Sequence, residues 1–131
     1  MFFGPKEVVV DPADSSWSTG NIVLDSAPPF GTTGPGSDVS IEWATGTPSL
    51  GNWSSGPTLA PWPGDGPDPD ASQCAEQVRK HGTYDGGSMP KGARFCVQTR
   101  EGRTALLRVT VSPIGRTPLH LQITVWDLPQ G

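Results

Sequence analysis

The chain is poor in the residues that build catalytic and metal centres. Only two histidines and two cysteines occur among 131 residues. A zinc site needs more Cys and His at ligand spacing than that supply readily gives, so no metal is expected. No Gly-x-Ser-x-Gly elbow is present, and a Ser-His-Asp site would have to use His81 or His120, one at a helix end and one on a strand's polar side. Basic residues are few: nine Lys and Arg stand against 13 Asp and Glu, for a formal net charge of -4 and a pI near 4.9. Nucleic-acid binders carry a basic stripe against phosphate, so nucleic acid is excluded as an expected partner. No run of about 18 apolar residues occurs, so nothing reads as a membrane span. Met1-Phe2-Phe3-Gly4 is too short and lacks the basic segment of a signal peptide. The expectation is either a cytosolic chain or one that begins after an export signal or anchor.

What the chain has in excess is glycine and proline, 17 and 15 residues. Together they approach the low-complexity range. They crowd into 26–70, whereas 93–112 holds Gly102 and no proline. At this length one domain, 1–131, is expected, with a loop-rich middle over 26–70 and a regular helix plus three-strand meander over 70–126. All basic residues but Lys6 lie between Arg79 and Arg116, and most acids precede them. Solvated faces and turns are the plain reading of this asymmetry. An acidic partner, or an acidic loop docked on the chain itself, is the sharper one.

Strand signals recur. Lys6–Asp11 holds three consecutive valines and stops at Pro12. Gly20–Asp25 reads as a second short strand. Asp38–Ala44 alternates, with Val39, Ile41 and Trp43 on one face and Asp38, Ser40 and Glu42 on the other. Leu59–Trp62 is an edge or polyproline segment at best, because Pro61 and Pro63 interrupt it. Ala93–Thr99, Thr104–Ser112 and Leu119–Val125 follow, the second with Ala105, Leu107, Val109 and Val111 facing one way. Gly102 within Arg100–Arg103 suits a hairpin turn. The fold class expected is mostly β: a small antiparallel sandwich or partly open barrel of about six strands.

One helix is expected over Asp70–His81. Ala71, Cys74, Ala75 and Val78 follow the i, i+3, i+4, i+7 spacing. Asp70 is placed to cap, with Gln73 completing a variant capping box. Arg79, Lys80 and His81 suit the C-terminal dipole and Gly82 the C′ position. The apolar face is small, so the helix would be marginal alone. An even cysteine count in an acidic, Lys-poor chain favours a Cys74–Cys96 disulfide and an oxidising compartment, with two buried thiols as the other reading. Closing that loop would contribute roughly 3 kcal/mol on the chain-entropy model.

The run Phe95-Cys96-Val97-Gln98-Thr99-Arg100-Glu101-Gly102-Arg103-Thr104-Ala105 resembles a segment of small β domains in actinobacterial exported proteins. Some of these sit at the outer end of membrane-anchored Ser/Thr protein kinases. Gly20–Asp25 and Asp38–Trp43 are similar to early strands of those domains, and Cys74 stands where their upstream cysteine would be. The resemblance implies an extracytoplasmic accessory domain, at the cell surface or extracellular, with no catalytic residues; no cofactor is expected. Its specific core is Cys-Val-x-Thr-x-Glu-Gly-Arg, and the Pro/Gly-rich middle departs from the pattern.

Five tryptophans point most directly to a ligand. Trp17, Trp53 and Trp62 fall in loop regions, where a flat ring stacks on a sugar or a Pro-rich peptide. Their other reading is that they pin the Gly/Pro-rich wrap to the sheet. Trp43 shares an apolar face, and Trp126 is out of phase with Leu119, Leu121, Ile123 and Val125, so it covers the second face of the sheet. Asp25, Asp38 and Glu42 are the nearest thing to a carboxylate pair for glycoside hydrolysis. Gly64–Asp70 gathers three acids but lacks the EF-hand register, leaving at most weak calcium binding. The function expected is a non-catalytic extracytoplasmic ligand-binding or sensor domain. A carbohydrate-binding module, a small hydrolase and a structural or assembly protein are the alternatives.

Overall fold

A computed structural model of the chain describes residues 2–11, 21–27, 29–32, 38–42, 48–51, 58–64, 66–112 and 118–127. Trp17, Trp43 and Trp53, and the Ser112–Gly115 connection beyond Ser112, lie outside the described residues.

Ten strands and one helix occur among the described residues. In chain order the strands are β1 (Phe3–Val10), β2 (Asn21–Val23), β3 (Phe30–Thr32), β4 (Val39–Glu42), β5 (Ser49–Gly51) and β6 (Leu59–Trp62). Helix α1 (Ala71–His81) follows, then β7 (Asp85–Ser88), β8 (Arg94–Gln98), β9 (Thr104–Val111) and β10 (Leu119–Val125). They form two antiparallel five-stranded sheets. Sheet 1 runs β1-β10-β9-β8-β6, and sheet 2 runs β3-β2-β4-β5-β7. Neither sheet closes, so the expected choice between sandwich and partly open barrel resolves to a sandwich.

About six strands were expected and ten are found. The additional ones are short pieces of the Gly/Pro-rich middle and the Asp85-Gly86-Gly87-Ser88 segment. Their weak side-chain patterns carry little strand signal, and pairing with a neighbour makes them strands. β6 is the expected edge segment: Pro61 sits opposite Phe95 at the border of sheet 1, where a missing N–H costs no ladder bond. Gly86 is required in β7, since a Cβ there would press on Leu59 and Phe95 side chains and the Leu50 carbonyl.

The inner faces share one core. Ile22, Leu24, Val39, Ile41 and Leu50 of the sheet 2 region meet Phe95, Val97, Leu107, Leu121 and Ile123 of sheet 1, all buried. Each such side chain stabilises the fold by about 1.5–3 kcal/mol relative to exposure. The meander is as the alternation predicts, with β8 pairing β9 and β9 pairing β10. Gly102 takes φ 93° in the β8–β9 turn. Val111 departs from expectation. The β9–β10 register shifts between His120 and Leu121, and Val111 comes out of the inward phase, exposed and opposite His120.

α1 lies on the outer face of sheet 1. Asp70 caps it and accepts from the Gln73 backbone N–H at 2.8 Å, while Gln73 Oε1 accepts from the Asp70 N–H at 2.9 Å, the expected capping box. Gly82 is not a left-handed C′ residue; its φ is −56°. The chain leaves the helix extended, and the Thr83 N–H bonds the Leu59 carbonyl at the edge of β6. Cys74 and Cys96 form a disulfide with a Cα–Cα distance of 5.1 Å. Both are wholly buried, in a second cluster with Ala60, Val78 and Leu106, and Trp62 and Trp126 pack against it. Trp126 therefore covers the second face of the sheet, as its phase predicts. β8 is buried on both sides for this reason: Phe95 and Val97 face the sandwich, and Cys96 faces the helix.

Candidate functional site

Four groups of polar side chains stand out. The first joins the sheets. Asp25 follows β2 and Asp38 precedes β4, and both meet the β8–β9 turn. Asp25 Oδ1 accepts from Thr99 Oγ1 at 2.6 Å and from Arg103 Nη1 at 3.0 Å, and its Oδ2 accepts from the Glu101 N–H at 3.0 Å. Asp38 accepts from the Leu24 N–H at 2.6 Å and the Arg100 N–H at 2.8 Å. Arg103 also reaches Glu101 at 2.9 Å, and its guanidinium lies 3.9 Å over the Phe2 ring. Hydrogen bonds to Asp25 and Glu101 raise the Arg103 pKa further. Burial pushes the Asp38 carboxyl up; the Arg100 and Leu24 N–H groups pull it back, and neighbouring Asp25 adds to the rise.

Alternation alone predicts Asp38 facing away from the core. It is instead 1% exposed, because two backbone donors solvate its charge inside the fold. The structure thus brings Asp25 and Asp38 together, while Glu42 is exposed at the end of β4. Every oxygen of the two buried carboxylates already accepts a hydrogen bond. Thr99, Glu101 and Arg103 work here as a latch between the sheets.

The second group docks the acidic loop. Arg94 is buried in β8 and donates to the carbonyls of Gly64 at 2.7 Å and Gly66 at 2.8 Å, and to Asp68 at 3.1 Å. Arg108 approaches the other oxygen of Asp68 at 3.8 Å. The charge asymmetry of the sequence therefore has its sharper explanation: part of the acidic loop docks on the chain itself. Asp70 caps α1 and Asp68 is ion-paired. Asp65 lies outside the described residues, and no group of three His, Cys, Asp or Glu able to hold a metal occurs among the described residues.

The third is on the outer face of sheet 1, where His120 Nδ1 lies 2.9 Å from Glu7, and Thr110 donates to the same carboxylate at 3.1 Å. His120 is on the polar side of its strand, as its phase predicts.

The fourth is a groove. Two grooves flank the outer rows of α1. One, of about 730 Å3, runs past Ala75, Val78 and Arg79 to Thr58 and Gln98. The other, of about 480 Å3, lies between Trp62 and the helix and is lined by Gln73, Glu76, Gln77, Lys80 and His81. Gln77 Nε2 donates to the Pro61 carbonyl at 2.9 Å, tying the helix to β6 beside Trp62. Glu76 bonds both Arg79 and Lys80, which hold its carboxyl down to about 2. Of the three tryptophans singled out in the sequence, Trp62 borders a groove, half-buried against the disulfide cluster. From the sequence Gln73 reads as a cap residue, whereas Gln77 and His81 are groove residues that no motif marks. Their i, i+4, i+8 spacing with Gln73 was the available signal.

No protein-family model matches the chain, and neither a curated protein nor a solved structure does. No helix among the described residues is long and apolar enough to cross a membrane.

Proposed function

We propose that the chain is a non-catalytic, extracytoplasmic accessory domain that binds or senses a ligand. The observation that carries this reading is the Cys74–Cys96 crosslink, buried beneath the helix whose outer rows border both grooves. A disulfide at the centre of a small cluster suits an oxidising compartment. It also holds a short helix, marginal by itself, as a fixed wall for a binding groove. Supporting the non-catalytic part, the buried carboxylates Asp25 and Asp38 are held by backbone and side-chain donors as a structural latch.

The test pairs a thiol titration with a binding screen. Protein exported through an oxidising compartment is denatured and titrated with and without reductant. No free sulfhydryl before reduction and two after it are expected. Tryptophan emission is then followed against neutral oligosaccharides, anionic polymers and Pro-rich peptides, and at least one class is expected to shift it saturably. Two free sulfhydryls in exported material, or no response to any class, would overturn the reading.

A further inference from the structure

We propose that the groove between Trp62 and α1 is a subsite for a neutral sugar unit of a glycan. The inference rests on the binding reading above and names its ligand class. Gln73, Gln77 and His81 form one row along the helix beside the indole. The two amides are each anchored at one end only. Gln73 Oε1 accepts from the Asp70 N–H at 2.9 Å, which leaves its NH2 group to donate. Gln77 Nε2 donates to the Pro61 carbonyl at 2.9 Å, which leaves its Oε1 to accept. These partners set both amide orientations, so the groove presents a donor and an acceptor about one helical turn apart. The anchoring has already removed much of the side-chain freedom that a ligand would otherwise have to freeze.

A sugar ring matches that set. Each hydroxyl both donates and accepts, so neighbouring hydroxyls satisfy a donor and an acceptor together. The C–H face of the ring is apolar and suits burial on an indole. Charge points to a neutral unit, because the groove's own carboxylate and ammonium, Glu76 and Lys80, pair with each other at 3.1 Å. A Pro-rich peptide fits less well. Its prolines carry no N–H, so they leave the Gln77 acceptor unmatched, and such peptides dock where several aromatic rings line a groove. Trp62 is the one Phe, Tyr or Trp side chain lining this groove among the described residues.

The experiment titrates the full chain with neutral oligosaccharides and, as comparison arms, with Pro-rich peptides and anionic polymers, read by Trp emission and by backbone and indole N–H shifts in two-dimensional NMR. Saturable shifts confined to 71–82 and the Trp62 indole are expected. Trp62→Ala is expected to weaken binding about tenfold. Because Trp62 packs on the disulfide cluster, His81→Ala serves as a second variant at an exposed position, with a loss of several-fold expected. If sugars bind but shift other residues, or both variants bind as the parent does, the subsite assignment falls and the binding reading stands. A peptide or anionic polymer that shifts this groove while every sugar fails overturns the sugar assignment alone. Silence toward every class sinks both.

Discussion

The Asp25 carboxylate and the Arg103 guanidinium meet at 3.0 Å, with side chains 7% and 15% exposed. Asp25 belongs to the sheet 2 side and Arg103 to the β8–β9 turn of sheet 1, so this pair holds the sandwich shut at one end. Thr99 stands inside it, donating to Asp25 and accepting from the Arg103 N–H at 3.0 Å.

Removing Asp25 leaves Arg103 with Glu101 and strands the Thr99 hydroxyl and the Glu101 N–H. Asp25→Ala is expected to destabilise the fold by about 3 kcal/mol. Thr99→Val should cost about 1–2 kcal/mol. Urea unfolding of both variants and their double mutant checks this. The two losses should fall short of additive, because the residues share one network.

The crosslink makes a second prediction. Cys74 and Cys96 are 22 residues apart. Replacing both with alanine should lower stability by roughly 3 kcal/mol. Amide exchange should rise most across Ala71–His81, because the cluster left to hold the helix is small. Equal exchange of helix and sheet amides in the variant would contradict the role given to the disulfide.

Acid stability carries two opposing contributions. The Asp38 carboxyl is raised above 3.8 in the fold, so the native state takes up this proton before the unfolded state does. Its charged form therefore opposes folding at neutral pH. That cost is relieved as pH falls through the folded pKa, and relief is complete below 3.8. Glu76 behaves oppositely. Its pKa drops from 4.5 to about 2, so its contribution is full above 4.5 and is lost as pH falls toward 2. Asp38→Asn accepts only one of the two N–H groups well and should be less stable than the parent at pH 7. The parent's advantage should widen as pH falls toward about 4, measured by unfolding midpoints. A constant gap would refute the burial argument for Asp38.

Arg94 predicts a local effect. Arg94→Leu leaves the Gly64 and Gly66 carbonyls and Asp68 without their buried donor. A loss of about 2–3 kcal/mol is expected. Limited proteolysis should begin in 63–69, whereas Arg108→Leu, whose contact with Asp68 is long and exposed, should leave the loop protected.

Much of the architecture was legible where a local pattern meets a local structure. The 3.6-residue spacing and cap of α1, the alternation of the meander and the turn at Gly102 all depend on neighbours in sequence. The phase of Trp126 belongs with them. β3, β5 and β7 were not legible: three or four residues each, with weak patterns, they become strands by pairing. Asp38 was misplaced because alternation knows nothing of the Leu24 and Arg100 N–H groups that let a carboxylate sit inside. Val111 was misplaced because a register shift follows from how β9 meets β10. In the groove, Trp62 was visible as an unexplained ring in a Pro-rich segment. Gln73 was visible only as a cap residue and Gln77 only as its i+4 neighbour, since which end of the Gln77 amide stays free is set by the distant Pro61 carbonyl.

Chain order and residue type by themselves determined a mostly β protein, one capped helix, and two cysteines set to join helix to sheet, because propensity, period and capping act over a few residues. Tertiary structure alone decided which acids are buried, which arginine clasps the proline-rich loop, and where an indole meets two half-satisfied amides. Those are contacts between residues distant in the chain, and their energies depend on distance, burial and partner geometry that no local pattern encodes.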